Sequence, residues 1–342
     1  MTTIKDVAKK AGVAVSTVSY ALSGTRPIGE DTRQRILQAI EELNYHPNHL
    51  ARSMINKRTR IIALLFPAAT MSTREDLPVE FEFIISVATA AYEHDYGLLL
   101  FTHPIDEDEI MRFIHQGLVD GVILMEVLRD DPRVQLMKQS GYPFSLIGRC
   151  ENNDGISFVD VDFYKGYSLA VEHLAALKHQ SIAFIKPVHD PDKNQLNYVA
   201  ESTRGFQETA LRLGVEGIIC HCEPTFESGY ETMKHLLETN SEITGAIVGN
   251  DLVYSGVYQA LQEKGVNVPN DFSLIGSISS RSAEKHTPKV TTISVPSFQM
   301  GALGTQFLVK QLENPQPEPQ QVLLPPEFVI RQSTAMRHER SK

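Results

Sequence analysis

Apolar residues recur at helical spacing near the N-terminus and as continuous runs from Ile61 onward, and this change of period divides the chain. Ile4, Val7, Ala8 and Ala11 fall on one face of a first helix, which Gly12 ends where a left-handed residue is needed. Val13, Val18, Ala21 and Leu22 make a second stripe, closed by Gly24 and Pro27. A third helix is predicted from about Asp31, with Asp31 as N-cap and Ile36, Leu37, Ile40 and Leu43 facing inward. Two short helices joined by a Gly turn and followed by a third describe a helix-turn-helix head. In it Ala8 lets the helices approach, Gly12 makes the turn and Val18 plugs the gap between them. Pro47 breaks the third helix, and Asn48 can cap a short basic segment through Ala51, Arg52, Ser53 and Met54. Alone, that segment is too short for a stable helix; it folds on a partner or on DNA, or else serves as a solvated linker.

From Ile61 the pattern alternates apolar strand and helix. IIALLF, GLLLF, GVILM and FSLIG read as buried strands, each separated from the next by a helical segment. FVDVD opens a second series with SIAFIK, GIICHC, GAIVGN and FSLIGS as strands. Continuous apolar strands between helices predict parallel sheets covered on both faces, here as two lobes meeting near Val159–Asp162. Such lobes bind ligands in the crevice beyond the carboxyl ends of their strands.

The fold class is therefore an all-α helix-turn-helix head and a two-lobe α/β body, joined by a basic segment that the family resemblance given below makes a hinge helix. The expected boundaries are 1–46 for the head and 47–60 for the hinge. The first lobe takes 61–161 with about 289–320, the second 162–288 with about 321–336, and 337–342 form a polar tail.

Charge sharpens this division. The chain of 342 residues has 32 Lys/Arg, 42 Asp/Glu and a net charge of −10, which alone argues against nucleic acid. Residues 1–60 hold ten Lys/Arg and five Asp/Glu, a charge of +5, and the remainder carries −15. A basic head on an acidic body suggests a nucleic-acid-binding module on a regulatory or catalytic body. No apolar stretch approaches the ~20 residues that span a bilayer, and the N-terminus has no apolar signal region, so neither membrane insertion nor secretion is expected. Three cysteines, Cys150, Cys220 and Cys222, are too few for a disulfide framework and fit a cytoplasmic protein. Cys220-His221-Cys222 reads as a strand with both thiols on one face, since no second ligand pair follows to complete a metal site.

Taken together, TIKDVAKKAGVAVSTVSYALSG and TRQRILQAIEELNYHPNHLARSM in the head closely resemble the lactose-repressor (LacI/GalR) family of bacterial transcription regulators. SLAVEHLAALKHQSIAFI, STRGF, GNDLVYSGVYQALQEKGVNVP, PKVTTISVP and LLPPEFVIRQST extend the resemblance through the body. It implies a homodimer, or a dimer of dimers, on a palindromic double-stranded operator, with periplasmic-binding-protein-like lobes around a small effector. The polar tail lacks the apolar heptads of a tetramerising coiled coil, which favours the dimer.

The second helix of a helix-turn-helix presents its first residues to base edges. Val15 can meet a thymine methyl, while Ser16 and Tyr20 can hydrogen-bond to bases, and Thr17 and Ser19 are placed for phosphates. Tyr20 can alternatively pack against the third helix. Many relatives carry Ser at Ala14 and Arg at Tyr20; Ala14 cannot cap the helix, at a cost of ~1 kcal/mol. The resemblance makes Met54 the minor-groove wedge, or else a residue packed within a hinge dimer, and makes Tyr45, Asn48 and Arg52 contacts to the DNA backbone.

For the effector, the resemblance points to Arg204 of STRGF, with Asn250 and Asp251 at the tip of a strand in the second lobe. Each could instead form a bond within its lobe, and Asp251 is the better loop brace. Arg149, after FSLIG, ends another crevice-facing strand. Phe81 either stacks on a sugar face or is a buried aromatic. Gly276-Ser277-Ile278-Ser279 stands where relatives have Gly-aromatic-Asp-Asp, so the usual sugar-binding carboxylate is replaced by Ile278. Lys178 replaces the Gly expected before His179, and Asn194, Gln195 and Tyr198 fall in a long loop able to reshape the pocket mouth.

The expected function is a sequence-specific transcription regulator, a repressor controlled by a sugar-like, nucleoside or polyol effector. Corepression, in which the effector favours DNA binding, uses the same parts with the opposite sign. A free solute-binding protein would have no use for the basic head. An enzyme would need a nucleophile elbow, a phosphate loop or a spaced ligand set, and the 12 scattered His supply none, so neither a catalytic residue nor a cofactor is expected.

Overall fold

The structure, a computed structural model, describes residues 2–23, 26–45, 58–66, 78–102, 105–188, 196–314, 316 and 318–337. Asn48, Arg52, Met54, Asn194 and Gln195 lie outside the described residues, as does the tail beyond Arg337. The chain divides into two compact units, one built on residues up to Arg60 and the other on Ile61 onward.

The first unit contains α1 (Ile4–Ala11), α2 (Val15–Ser23) and α3 (Glu30–Glu42). Thr3 starts α1: its backbone N–H and its hydroxyl both donate to Asp6 Oδ2, at 2.8 and 2.7 Å. Gly12 ends it in the left-handed region, φ 65°. Val7, Val18 and Ile36 are fully buried, with Ala8, Ala11, Ala39 and Tyr45 closing the core around them. Two expectations need correction. Leu37 is 53% exposed, because Ile36, Ala39, Ile40 and Leu43 already form the inward stripe and Leu37 lies about 100° away from Ile36. The cap of α3 is Gly29, and Asp31 lies within the first turn, where its charge still suits the helix N-terminus.

The second unit begins with β1 (Ile61–Leu65), α4 (Pro78–Glu93), β2 (Gly97–Phe101), α5 (Glu107–His115), β3 (Gly121–Met125), α6 (Pro132–Ser140), β4 (Phe144–Ile147) and β5 (Phe158–Val161). It continues with α7 (Phe163–Ala176), β6 (Ser181–Pro187), α8 (Asn197–Leu213), β7 (Glu216–Cys222), α9 (Phe226–Thr239), β8 (Gly245–Val248), α10 (Asp251–Glu263), β9 (Ser273–Gly276) and α11 (Ser280–Lys285). The last elements are β10 (Thr291–Ser294), α12 (Ser297–Glu313), β11 (Gln321–Leu324) and β12 (Glu327–Val329).

These strands build two six-stranded sheets, ordered β11-β5-β4-β3-β1-β2 and β12-β10-β9-β8-β6-β7. Pairing is parallel throughout except for β12 against β10. Successive residues of β6 feed opposite faces: Ala183 and Ile185 pack with Val253 and Val257, while Ile182 and Phe184 pack with Tyr167, Val171 and Phe206. Cys220 and Cys222 join the first of these faces, as expected of a strand with its thiols on one side.

The crossovers between lobes fall differently from expectation. Strand 291–294 belongs to the second sheet, where Thr291 pairs with Ile275, and strand 321–324 belongs to the first, where Val322 pairs with Val159. Of the segment 289–320 assigned to the first lobe, α12 does pack there, through Met300, Phe307 and Leu308. The chain therefore crosses three times, after β5, β10 and β11. His179, 4% exposed, ties down the final segment: its ring bonds Thr244 and Ser273 hydroxyls and the Ala335 carbonyl. Beside it, Lys178 holds φ 68°, a conformation that glycine adopts without strain.

Candidate DNA-reading surface and inter-lobe crevice

In the head, Val15 (41% exposed) and Ser16 stand free at the start of α2, and Thr17, Ser19 and Tyr20 are half-buried. Ala14 occupies the cap position and offers only its carbonyl, which accepts from Thr17 N–H at 2.9 Å. No acidic residue lies in the first turn, so no side-chain charge there offsets the positive end of this helix. Sequence reading missed Arg26, whose guanidinium lies 5.0 Å from the Tyr20 ring centroid. The stacked cation brings charge to the residue that stands in for the usual arginine. Tyr45, expected at the DNA backbone, is only 8% exposed and belongs to the packed core.

In the body, Arg149 and Glu201 meet across the two lobes. Arg149, just beyond β4, donates Nε to Asp160 Oδ2 at 3.2 Å and Nη2 to Glu201 Oε2 on α8 at 3.1 Å. Asp160 is 3% exposed, and burial pushes its carboxyl up to about 6 despite Arg149. A second link lies alongside: Asn197 N–H donates to Val127 O at 3.1 Å, and Leu128 bridges Leu196. The turn carrying Val127 is braced by Arg133, which grips buried Asp131 with two bonds and the Met125 and Glu126 carbonyls with two more.

The expected effector residues do not form one cluster. Arg204 donates to Glu201 at 2.9 Å, lies 4.5 Å from the Tyr164 ring centroid and has a side chain 53% exposed, so it is already occupied within its own lobe. Two residues earlier on the same helix, Ser202 is 2% exposed, its hydroxyl donates to the Tyr198 carbonyl at 2.7 Å, and with Ser277 it neighbours the Tyr167 hydroxyl. Burial pushes the Tyr167 hydroxyl up to about 12. Asn250 uses its side-chain oxygen to cap α10, accepting from Leu252 and Val253 N–H, and Asp251 begins that helix. Phe81 is 62% exposed on α4, among the residues least suited to a buried sugar platform. Ile278 packs in the second-lobe core, 3% exposed, so its substitution does not by itself unseat a crevice carboxylate.

The carboxyl ends of β6 and β8 flank the point where the second sheet changes strand order, and Lys186 stands at the end of β6. Lys186 is 3% exposed, and burial pulls its ammonium below the usual lysine value. A lysine closing an apolar run was its only signal in the sequence.

Residues 3–48 match the bacterial regulatory proteins of the lacI family, and residues 171–334 match the periplasmic binding protein-like domain. The transcriptional repressor PurR of Haemophilus influenzae is 31% identical over 350 residues, covering 97% of this chain and 98% of that one. Catabolite control protein A of Priestia megaterium is 29% identical over 335 residues, covering 97% and 99%. The structure of the CelR–cellobiose complex superposes with a TM-score of 0.72 at 26% identity over 97% of this chain and 100% of that one. The lac repressor dimer bound to operator superposes with 0.83 at 22% identity over 98% and 99%, a likeness of fold. Among the described residues no helix is long and apolar enough to cross a membrane. The chain belongs to the lacI family of bacterial regulatory proteins and is a DNA-binding regulator of transcription.

Proposed function

We propose that this regulator is a homodimeric repressor whose grip on a palindromic operator is set by a small polar effector in the crevice between its lobes. The observation that carries this reading is the pair of bonds joining the lobes, Arg149–Glu201 and Asn197–Val127. A ligand entering beside them binds the two lobe arrangements with different affinity, and only such a difference shifts an equilibrium. The cellobiose bound by CelR supports a ligand of this size and polarity. The exposed apolar side chains Phe81, Ile85 and Tyr92 on α4 support a second copy as partner. In the head, Val15, Ser16 and Tyr20 read bases while Thr17 and Ser19 hold phosphates. Asn48 and Arg52 contact the backbone, and Met54 wedges the minor groove.

The test takes the full-length chain and an operator selected from random DNA. Operator affinity should fall steeply with salt, as expected when several Lys/Arg displace counterions from phosphates. Met54→Gly should weaken binding and reduce the bend of the DNA. A screen of sugars, nucleosides and polyols should yield a compound that lowers operator affinity. If no compound changes that affinity in either direction, control through the crevice is refuted; if one raises it, the protein is a corepressor-dependent regulator.

A further inference from the structure

We infer that the effector is anionic, a small molecule carrying a phosphate or carboxylate that Lys186 receives at the carboxyl edge of the second sheet. The inference rests on the effector reading above and adds the charge of the ligand. Three observations meet at this edge. The first is Lys186 itself: 3% exposed, and without a hydrogen bond or ion pair among the described residues. Its partial desolvation disfavours the charged form, and a counter-charge beside it would offset that. The other arginines near the lobe junction are already neutralised, Arg149 by Asp160 and Glu201 and Arg204 by Glu201. Lys186 is the cation left over for a ligand.

The second observation is the helix that follows. Helix α8 starts without a side-chain cap, its N-cap position being Leu196, although Thr225, Asn250, Asp162 and Ser279 cap their own helices in this lobe. Its positive end stands at the same edge of the sheet as the end of β6, since the helix begins where the chain returns from that strand. The third is Asn197, the first residue of α8. It is 5% exposed, and its Nδ2 is a buried donor with no acceptor. A buried amide donor without a partner is destabilising, and an anion's oxygen would satisfy it. A lysine, an amide N–H donor and a helix terminus without a side-chain cap, its first backbone N–H taken by Val127, together offer chiefly positive charge and donors. A neutral sugar, whose hydroxyls also seek acceptors, matches that set poorly. A phosphate or carboxylate, which is acceptor-only when ionised, matches it well.

In register with Lys186 on β7 is His221, so its imidazole adds a second cation when protonated. Burial and the neighbouring Lys186 both hold that ring below the usual histidine value. A bound anion should raise it, and anion affinity should therefore strengthen as pH falls.

The experiment uses the full-length chain and matched ligand pairs followed by calorimetry: glucose with glucose 6-phosphate, ribose with ribose 5-phosphate, and glucose with glucuronate. At least one anionic member should bind about 30-fold or more tighter than its neutral twin. Which pair responds separates a phosphate ligand from a carboxylate one. Lys186→Met should abolish that preference by weakening the anionic member at least tenfold more than its neutral twin, and Lys186→Arg should retain part of it. Thermal unfolding of both variants checks the fold; Lys186→Met should melt no lower than the parent, since it removes a buried charge. Equal affinity for the two members of every pair, or a preference that survives Lys186→Met, overturns the anionic ligand while leaving a neutral effector standing. Failure of every member, charged and neutral, to bind or to alter operator affinity overturns both.

Discussion

Arg149 of the first lobe is held by two carboxylates at once, Asp160 of its own lobe and Glu201 of the other, at 3.2 and 3.1 Å. The two acids are not equivalent. Asp160 is nearly inaccessible, whereas the Glu201 side chain is 19% exposed and shares its oxygen with Arg204. Glu201→Gln should therefore cost about 1 kcal/mol, the scale of a partly screened pair. Arg149→Ala should cost about 3 kcal/mol, because it leaves a buried carboxylate without its cation. Urea unfolding measures both. Hydrogen exchange should accelerate at the Asn197 amide in Glu201→Gln, since that amide bonds across the same lobe junction. Equal losses of stability in the two variants would contradict the assignment.

The pH dependence of the body follows from Asp160. Burial raises its carboxyl to about 6, above the ordinary aspartate range, so the folded state binds a proton more tightly than the unfolded one. Between about pH 4 and 6 the native state carries the extra proton, and stability falls as pH rises through this window. Above it the penalty is constant, at up to about 3 kcal/mol for roughly two units. Asp160→Asn removes the titration. The difference in stability between the parent and Asp160→Asn should move against the parent from pH 4 to pH 6 and stay flat from pH 7 to 8. A difference that is flat throughout would mean that Asp160 titrates normally.

The head could be read closely from the sequence because each helix carries its own apolar period and its own stop, as Val7, Gly12 and Val18 show. The alternation of the body was equally plain. The crossovers were not, because TTIS and QVLL are the same kind of short strand, and the sheet each joins is decided by partners such as Ile275 and Val159 far along the chain. The crevice was hardest. Arg204 and Ser202 are two residues apart, but on a helix that spacing turns one to Tyr164 and solvent and the other to Tyr167 in the interior. Arginine drew attention by its chemistry, while the residue facing inward was a serine.

Lys178 offers a test of local strain. It is exposed and holds φ 68° between α7 and β6, where a side chain costs about 1–2 kcal/mol and glycine nothing. Part of that gain is lost to the greater freedom of glycine in the unfolded chain. Lys178→Gly should raise stability by about 0.5–1 kcal/mol, read by urea unfolding, with operator affinity unchanged. A destabilised variant would mean that the lysine makes a contact worth more than its strain.

Tyr20 and Arg26 should act as a unit at the operator. The guanidinium sits 5.0 Å from the ring centroid, so each side chain restricts the other, and Tyr20 remains half-exposed on the reading helix. If the hydroxyl reads a base and the guanidinium supplies charge, Tyr20→Phe should cost about 1–3 kcal/mol at one operator position and leave other positions unaffected. Arg26→Ala should weaken binding more evenly across sequences and lower the dependence on salt by about one phosphate contact. Tyr20→Phe combined with Arg26→Ala should lose less than the sum of the two, because removing the cation also frees the ring it holds. Binding titrations on a panel of single-base operator variants, at two salt concentrations, separate these effects. Additive losses with no positional signature for Tyr20→Phe would make the ring a packing residue and place base recognition with Val15 and Ser16 alone.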